Sequence, residues 1–229
     1  MDSGYLPGDL NVSPSGEATY DIPLAVPAGP AGAQPSLGLH YSSSAGNGTM
    51  GVGWSVAGLS AISHCGKSIA TEGRTTGISF RTADSAGGDA ARFCLDGQKL
   101  VGVSGAYGQS GAEYRTETES FTKFVSRDSD STTGPGWFEV WLKNGRRLEY
   151  RPQRMDRLTA DSDGISLDQA NVALTYPLAK DTDPSGNVIE YSYTLDTPKT
   201  CPVNDLRAFR DQQPCPLVRM CGRLRATGT

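Results

Sequence analysis

The chain has 229 residues, a formal net charge of −4, 37% hydrophobic residues and 20% charged residues. The low hydrophobic content, together with 28 glycines and 14 prolines, favours many turns and few long helices, and therefore an all-β fold. The acidic balance without a basic cluster argues against a nucleic-acid partner, and no apolar run approaches the roughly 20 residues of a membrane-spanning helix.

Residues 1–15 are rich in Gly, Pro and Ser, which predicts a flexible N-terminus, and they contain no classical secretory signal. The following stretch, ATYDIPLAV, alternates with a period of two, as a half-buried strand does. Because Pro23 cannot donate to a ladder, this strand is predicted to lie at a sheet edge or to be unpaired on one side there. LGLHYSS predicts the next strand, with His40 facing solvent.

The segment GNGTMG, Gly46 to Gly51, has the G-x-G-x-x-G spelling of a dinucleotide-binding loop. In that loop the glycines open a helix whose first amides bind the pyrophosphate. Here the following residues, VGWSVAGLSAI, contain two more glycines and alternate as a strand does. We therefore predict a glycine-rich turn that brings the strands at Tyr41 and Trp54 together, with Trp54 buried beside it and no cofactor bound.

Later segments predict a series of hairpins. Asp96-Gly97 and Asn144-Gly145 each lie between two apolar runs and indicate two-residue turns. EYRTETESFTKFVS alternates, and a further pair of strands flanks the turn at residues 183–187. The pattern predicts an all-β domain over residues 16–195, in which successive antiparallel hairpins form a sandwich-like or shell-wall sheet with little helix. Residues 196–229 lack this period and predict an atypical, disordered tail.

Candidates for catalysis and metal binding are weak. Glu117 and Glu119 form the E-x-E pair found in ADP-ribosyltransferases, but the cofactor-binding strand of those enzymes is missing, so two solvated glutamates are favoured. DTDPSG, which starts at Asp181, resembles the start of a calcium loop, but its twelfth position is Ser192 instead of glutamate. The five cysteines form no C-x-x-C, and Cys65 and Cys94 are interpreted as small buried residues. We predict no catalytic, cofactor-binding or metal-binding residue.

The run from Gly16 to Cys65 carries three linked motifs: G-x-A-x-Y-x-I-P-L, Q-P-x-L-x-L-x-Y-x-S and G-N-G-x-x-G-x-G-W-x-x-x-G-L-S-x-I. These motifs resemble the opening of the amino-terminal domain of the Salmonella virulence plasmid B (SpvB) protein, which is shared with the B components of insecticidal Tc toxins and with Rhs-type proteins. Later hairpins resemble the same family, so that the likeness covers residues 16–195. The family domain continues beyond this point, which implies that the domain is incomplete here.

The resemblance implies a non-catalytic structural module of a secreted toxin, part of a β shell that carries a toxic effector. Its partners would be the remainder of the shell or other toxin-complex subunits. It would act outside the producing cell, after a cytoplasmic stage and export without a classical signal. The aromatic residues expected to anchor such a sheet, as buried side chains, are Trp54, Trp137, Trp141, Tyr150, Tyr191 and Tyr193.

Two alternatives remain open at this stage. The first is a β-sandwich that binds carbohydrate or a cell surface, which a cluster of exposed tryptophans would favour. Trp137 and Trp141 lie on the same face only if their strand is regular. The second is a fragment of an ADP-ribosyltransferase that acts through Glu117 and Glu119.

Overall fold

A computed structural model describes residues 8–29, 33–48, 50–73, 75, 92–129, 134–154, 173–195 and 220–227. Nearly all regular structure in these residues is antiparallel sheet, which confirms the predicted all-β class. The elements are β1 (Asp9–Val12), β2 (Ala18–Leu24), β3 (Leu37–Ser42), β4 (Asn47–Gly48), β5 (Gly51–Val52), β6 (Trp54–Ala57), β7 (Ala61–Cys65), α1 (Ile69–Glu72), β8 (Arg92–Leu95), β9 (Gln98–Ser104), β10 (Glu113–Thr116), β11 (Lys123–Arg127), β12 (Trp137–Trp141), β13 (Arg147–Tyr150), β14 (Gln153–Arg154), β15 (Ala173–Thr182), β16 (Val188–Leu195) and β17 (Met220–Thr227).

The chain divides into two compact units, and the first contains the residues up to Leu59 together with Ile189–Thr227. Its main sheet has the order β1-β2-β3-β6. On one side of β2, pairing with β1 extends only to Asp21, which lies opposite Asp9, so Pro23 has no partner in β1. On the other side, Pro23 lies opposite Gly38 of β3. The prediction that the strand is unpaired on one side at Pro23 is therefore confirmed.

The glycine-rich segment of this unit is a hairpin. β4 and β5 pair antiparallel, with Gly48 opposite Gly51, and β6 then pairs with β3 so that Trp54 lies opposite Tyr41. Gly53 has a φ of 78°, and a Cβ there would lie 2.5 Å from the Tyr41 ring, which explains the need for glycine. The predicted turn is confirmed. Trp54 is half-buried where a buried side chain was predicted, because it packs on the edge of the sheet against Tyr41.

Two ranges predicted to lack structure contain strands. Within residues 1–15, Asp9–Val12 forms β1 on the edge of the first sheet. Within residues 196–229, Met220–Thr227 forms β17, which is hydrogen-bonded to β16, whereas residues 196–219 lie outside the described residues. Composition alone missed both strands because each is an outer strand whose pairing depends on the strand beside it, β2 for β1 and β16 for β17. The overall division into three ranges stays a prediction.

The second unit, Ser60–Val188, contains a sheet that closes on itself. Its strands follow the order β13-β12-β11-β10-β9-β8-β7-β15, and β15 pairs again with β13, so that eight antiparallel strands form a ring. Closure removes the open edges that an eight-stranded sheet otherwise presents. The hairpin pattern predicts the strands of this ring but not its closure.

The interior of the closed sheet is filled with aromatic side chains. Phe93, Tyr114, Phe138 and Tyr176 are each no more than 2% exposed. Phe138 lies 5.1 Å from Phe93 and 5.0 Å from Tyr176 between ring centroids, with edge-to-face angles of 71° and 85°. Such packing is the favoured arrangement of aromatic pairs and makes the interior a rigid core, as in other small barrels.

The two predicted turns of this unit differ in geometry. Asp96 and Gly97 both have positive φ, 46° and 85°, and join β8 to β9 in the predicted two-residue turn. At the second turn only Gly145 has positive φ, and the Leu142 amide donates to the Arg146 carbonyl at 2.9 Å. The hairpin is confirmed there, but its loop has three residues instead of two, since Asn144 does not adopt the positive φ that a two-residue type I′ turn needs at both positions.

Candidate functional site

The outer surface of the closed sheet carries a patterned face centred on β12. Along that strand Phe138 and Val140 point into the core, at 0% and 1% exposure. The strand is regular, so Trp137, Glu139 and Trp141 point outward. Both tryptophans are half-buried. The tryptophans thus share one face, as the binding alternative requires, but they are half-buried instead of exposed.

Neighbouring strands surround these residues with cations. On β11, Arg127 lies directly opposite Trp137 and Lys123 opposite Trp141, and on β13 Arg147 lies opposite Trp141. We call this surface the tryptophan–arginine face and define it by Lys123, Arg127, Trp137, Glu139, Trp141, Arg147, Glu149 and Arg151.

Two carboxylates lie beneath the arginines of this face. The Glu139 side chain is 8% exposed and accepts from Arg127 Nε at 2.9 Å and from Arg147 Nε at 2.8 Å. The Glu149 side chain is 9% exposed and accepts from Arg151 Nη2 at 2.7 Å. Glu139 and Glu149 are directly opposite each other, an arrangement that repels unless a cation separates the charges. Arg147 supplies that cation, since it reaches both carboxylates.

The arginines are fixed in place yet remain open to solvent. The side chains of Arg127, Arg147 and Arg151 are 40%, 50% and 54% exposed. The Arg151 guanidinium lies 4.9 Å from the centre of the Trp137 ring, within cation–π range. A guanidinium has five N–H donors, and the carboxylates use only some of them. The face therefore presents oriented donors beside aromatic surface.

The charge of the face is opposite in sign to that of the chain. Four cationic side chains and two carboxylates give it a formal charge of +2, against −4 for the whole protein. Three further charged side chains contact these residues, Glu113 on Lys123, Asp128 on Trp137 and Lys180 on Glu149, and they lower the sum to +1. A local positive field attracts anions even on an acidic protein.

The predicted aromatic anchors divide into two groups. Tyr150 and Tyr191 are buried, at 2% and 9% exposure, as expected. The three tryptophans and Tyr193 are half-buried, which corrects the prediction that all six are buried. Burial raises the pKa of Tyr193 to about 12. The sequence WFEVW could have predicted this face, because its period of two places Phe138 and Val140 on one side of the strand and the tryptophans and Glu139 on the other.

The structure places Glu117 and Glu119 in the segment that follows β10. β10 ends at Thr116, so both lie in an exposed loop instead of on the predicted strand, although both are solvated as predicted. The Glu119 carboxylate accepts the Phe121 amide at 2.6 Å and so holds the turn before β11.

The partial calcium motif is a turn whose carboxylates are already engaged. Asp181 forms a two-point ion pair with Arg146. Asp183 accepts the Ser185 and Asn187 amides at 2.9 and 2.8 Å, and the Asn187 side chain holds the pKa of this carboxyl below its usual range. In the described part of the chain, no group of three or more His, Cys, Asp or Glu is placed to hold a metal ion.

Cys65 and Cys94 form a disulfide, with their Cα atoms 5.9 Å apart. Cys94 is buried as predicted, whereas Cys65 is half-buried, and the prediction did not include the bond between them. The register of β7 and β8 sets Cys94 opposite Ser63 and Cys65 opposite Arg92, so the bond crosses diagonally between neighbouring strands. Spacing alone missed it because the pairing depends on that register. The other cysteines lie outside the described residues or in β17.

Comparisons with known proteins agree with the resemblance. The family model for the Salmonella virulence plasmid 65kDa B protein, SpvB, matches residues 12–69. No curated protein matched. Among the described helical residues, no segment is long and apolar enough to cross a membrane.

Solved structures share the fold at low identity. A TcdB2-TccC3 crystal structure matches with 18% identity and a TM-score of 0.62, covering 96% of this chain and 10% of that chain. The N-terminal domain of effector protein SpvB from Salmonella typhimurium strain LT2 matches with 22% identity and a TM-score of 0.57, covering 89% and 63%. The Photorhabdus luminescens Tc holotoxin pore matches with 16% identity and a TM-score of 0.57, covering 90% and 9%. The chain thus spans about a tenth of the toxin chains that it matches.

The SpvB resemblance is therefore confirmed: residues 12–69 match the SpvB family, and the chain has the fold of the SpvB N-terminal domain and of the matched part of the Tc toxins.

Proposed function

We propose that this chain is a non-catalytic structural module of a Tc- or Rhs-type toxin, and that it contributes to the β shell that carries a toxic effector. The observation that carries the proposal is the closed sheet with its aromatic core. A ring of strands without open edges, filled by Phe93, Tyr114, Phe138 and Tyr176, is a rigid block suited to a wall. The remainder of the shell and other toxin-complex subunits are the proposed partners.

A chimera tests this role. The segment of TcdB2-TccC3 that matches the fold, about a tenth of that chain, is replaced by this chain. We expect the chimera to elute as one species of the same size as the unmodified protein. A chimera that also carries Phe138→Asp should aggregate, because a charge would enter the closed core. An aggregated chimera, when the chain alone is folded, would contradict the structural role.

A non-catalytic role predicts that the chain does not raise NAD hydrolysis above the rate in buffer. The unmodified chain and a Glu117→Gln/Glu119→Gln variant should release nicotinamide at the same rate as a buffer blank, because both glutamates lie in an exposed loop and Glu119 binds backbone. Turnover above the blank that the double variant abolishes would favour the ADP-ribosyltransferase alternative instead.

We also propose that the protein acts outside the producing cell, after a cytoplasmic stage before export. The Cys65–Cys94 disulfide supports an oxidising destination, because such bonds persist in secreted proteins and are rare in the cytosol.

A second candidate function is binding to carbohydrate at a cell surface. The observation that favours it is the pair of half-buried tryptophans, Trp137 and Trp141, on one outward face of a regular strand. A rigid module of a shell wall can carry such a face on its outside, so this function is compatible with the first.

A further inference from the structure

We propose that the tryptophan–arginine face binds an acidic oligosaccharide, a chain of sugar rings that bears carboxylate or sulfate groups. This proposal rests on the second candidate function and names its ligand class. The face lies entirely within the second unit, on β11, β12 and β13 and the residue that follows β13.

The aromatic side chains supply the first part of the argument. Trp137 and Trp141 are four residues apart on a regular strand, so their Cα atoms are about 13 Å apart. The exposed parts of these half-buried indole rings offer flat apolar area at low entropic cost, which suits the flat face of a sugar ring. Two rings at this spacing contact separate sugars of one oligosaccharide.

The arginines supply the second part. Glu139 and Glu149 orient the guanidinium groups of Arg127, Arg147 and Arg151 from below. Arg151 is also held over Trp137, at 4.9 Å from the ring centre. Because the guanidinium groups are already ordered, a ligand anion gains charge-assisted hydrogen bonds without first ordering three long side chains. Planar guanidinium groups match carboxylate and sulfate in two-point contacts.

The alternation of ring and cation selects among ligand classes. Along β12 the order is tryptophan, buried carboxylate, tryptophan. Arg127 lies opposite Trp137, and Lys123 and Arg147 lie opposite Trp141. A bilayer or a protein hot spot would favour contiguous apolar surface, which this face lacks. A nucleic acid carries one charge per phosphate and is held by cations clustered along its backbone, whereas the arginines of this face alternate with carboxylates. An oligosaccharide with spaced anionic groups fits both the rings and the cations.

Binding is tested on the full chain by tryptophan fluorescence and calorimetry with four probes. These are an oligogalacturonate, a heparin-derived oligosaccharide, a neutral cello-oligosaccharide and a single-stranded oligothymidylate. We expect saturable binding of at least one acidic oligosaccharide, weakened by salt, and binding of the neutral one to be at least about tenfold weaker. The two acidic probes distinguish carboxylate from sulfate as the recognised group.

Matched variants localise the site. Trp141→Ala and Arg151→Gln should each weaken acidic-oligosaccharide binding by about tenfold, as aromatic and arginine anchors do. The controls Trp54→Phe, on the first unit, and Lys143→Gln, at an exposed turn, should leave binding unchanged. Near-ultraviolet circular dichroism checks that each variant is folded, and Trp141→Phe replaces Trp141→Ala if the latter is not.

The outcomes separate this proposal from the function on which it rests. Neutral and acidic oligosaccharides that bind equally, both dependent on Trp141, would overturn the acidic ligand class but keep carbohydrate binding. No saturable binding of any oligosaccharide by the folded chain would overturn both. Oligothymidylate binding as tight as that of the acidic oligosaccharides, or binding unaffected by Trp141→Ala and Arg151→Gln, would also overturn the proposal.

Discussion

Replacing Phe138 with alanine is expected to lower the free energy of unfolding of the closed sheet by about 3–5 kcal/mol. The Phe138 side chain is 0% exposed, and its aromatic ring lies 5.1 Å from that of Phe93 and 5.0 Å from that of Tyr176 between centroids. Its removal eliminates buried apolar area and leaves a cavity, because neighbouring strands of a closed ring cannot move together to fill it. Urea denaturation followed by tryptophan fluorescence measures the change.

The chain offers a matched control for this experiment. Phe121→Ala makes the same chemical change on a side chain that is 72% exposed, and we expect an effect within about 0.5 kcal/mol. Both proteins should carry Trp54→Phe, so that Trp137 and Trp141 alone report on the second unit. Equal losses at Phe138 and Phe121 would contradict the filled interior.

The local elements of this fold were predictable because their signals are local. Asp96-Gly97 specifies a turn by positive φ at both residues, and the period of two in WFEVW specifies a strand with its inward side chains. Closure was not predictable, since it depends on β13 pairing with β15. In that pairing Leu148 lies opposite Asp181, 33 residues further along the sequence, and no local turn signal encodes a contact at that separation.

The candidate site shows the same limit. The sequence places Trp137, Glu139 and Trp141 on one side of a strand, but their burial depends on what neighbouring strands bring beside them. Glu139 is covered because Arg127 and Arg147 come from both adjacent strands, whereas the tryptophans on either side of it are half-buried. The prediction treated all six named aromatic anchors as core residues. In the structure Tyr150 and Tyr191 are buried, whereas the three tryptophans and Tyr193 are half-buried.

Removing the Cys65–Cys94 disulfide is expected to lower the free energy of unfolding by about 3–4 kcal/mol. The two residues are 29 apart in sequence, and the crosslink restricts the unfolded chain over that loop. A Cys65→Ala/Cys94→Ala variant should therefore unfold at a lower urea concentration, with a slope at least as steep, because the unfolded chain is less compact without the crosslink. Mass spectrometry under non-reducing conditions checks that the unmodified chain carries the bond.

We expect the loss of unfolding free energy to come from the missing covalent bond and not from the change of side chain. Cys65→Ala, Cys94→Ala and the double variant should lose similar amounts, because the first substitution already breaks the single covalent link. Dithiothreitol should destabilise the unmodified chain to the same extent and leave the double variant unchanged. Additive losses from the two single variants would indicate that each side chain contributes by packing alone. That result would also remove the disulfide as support for an oxidising destination of the protein.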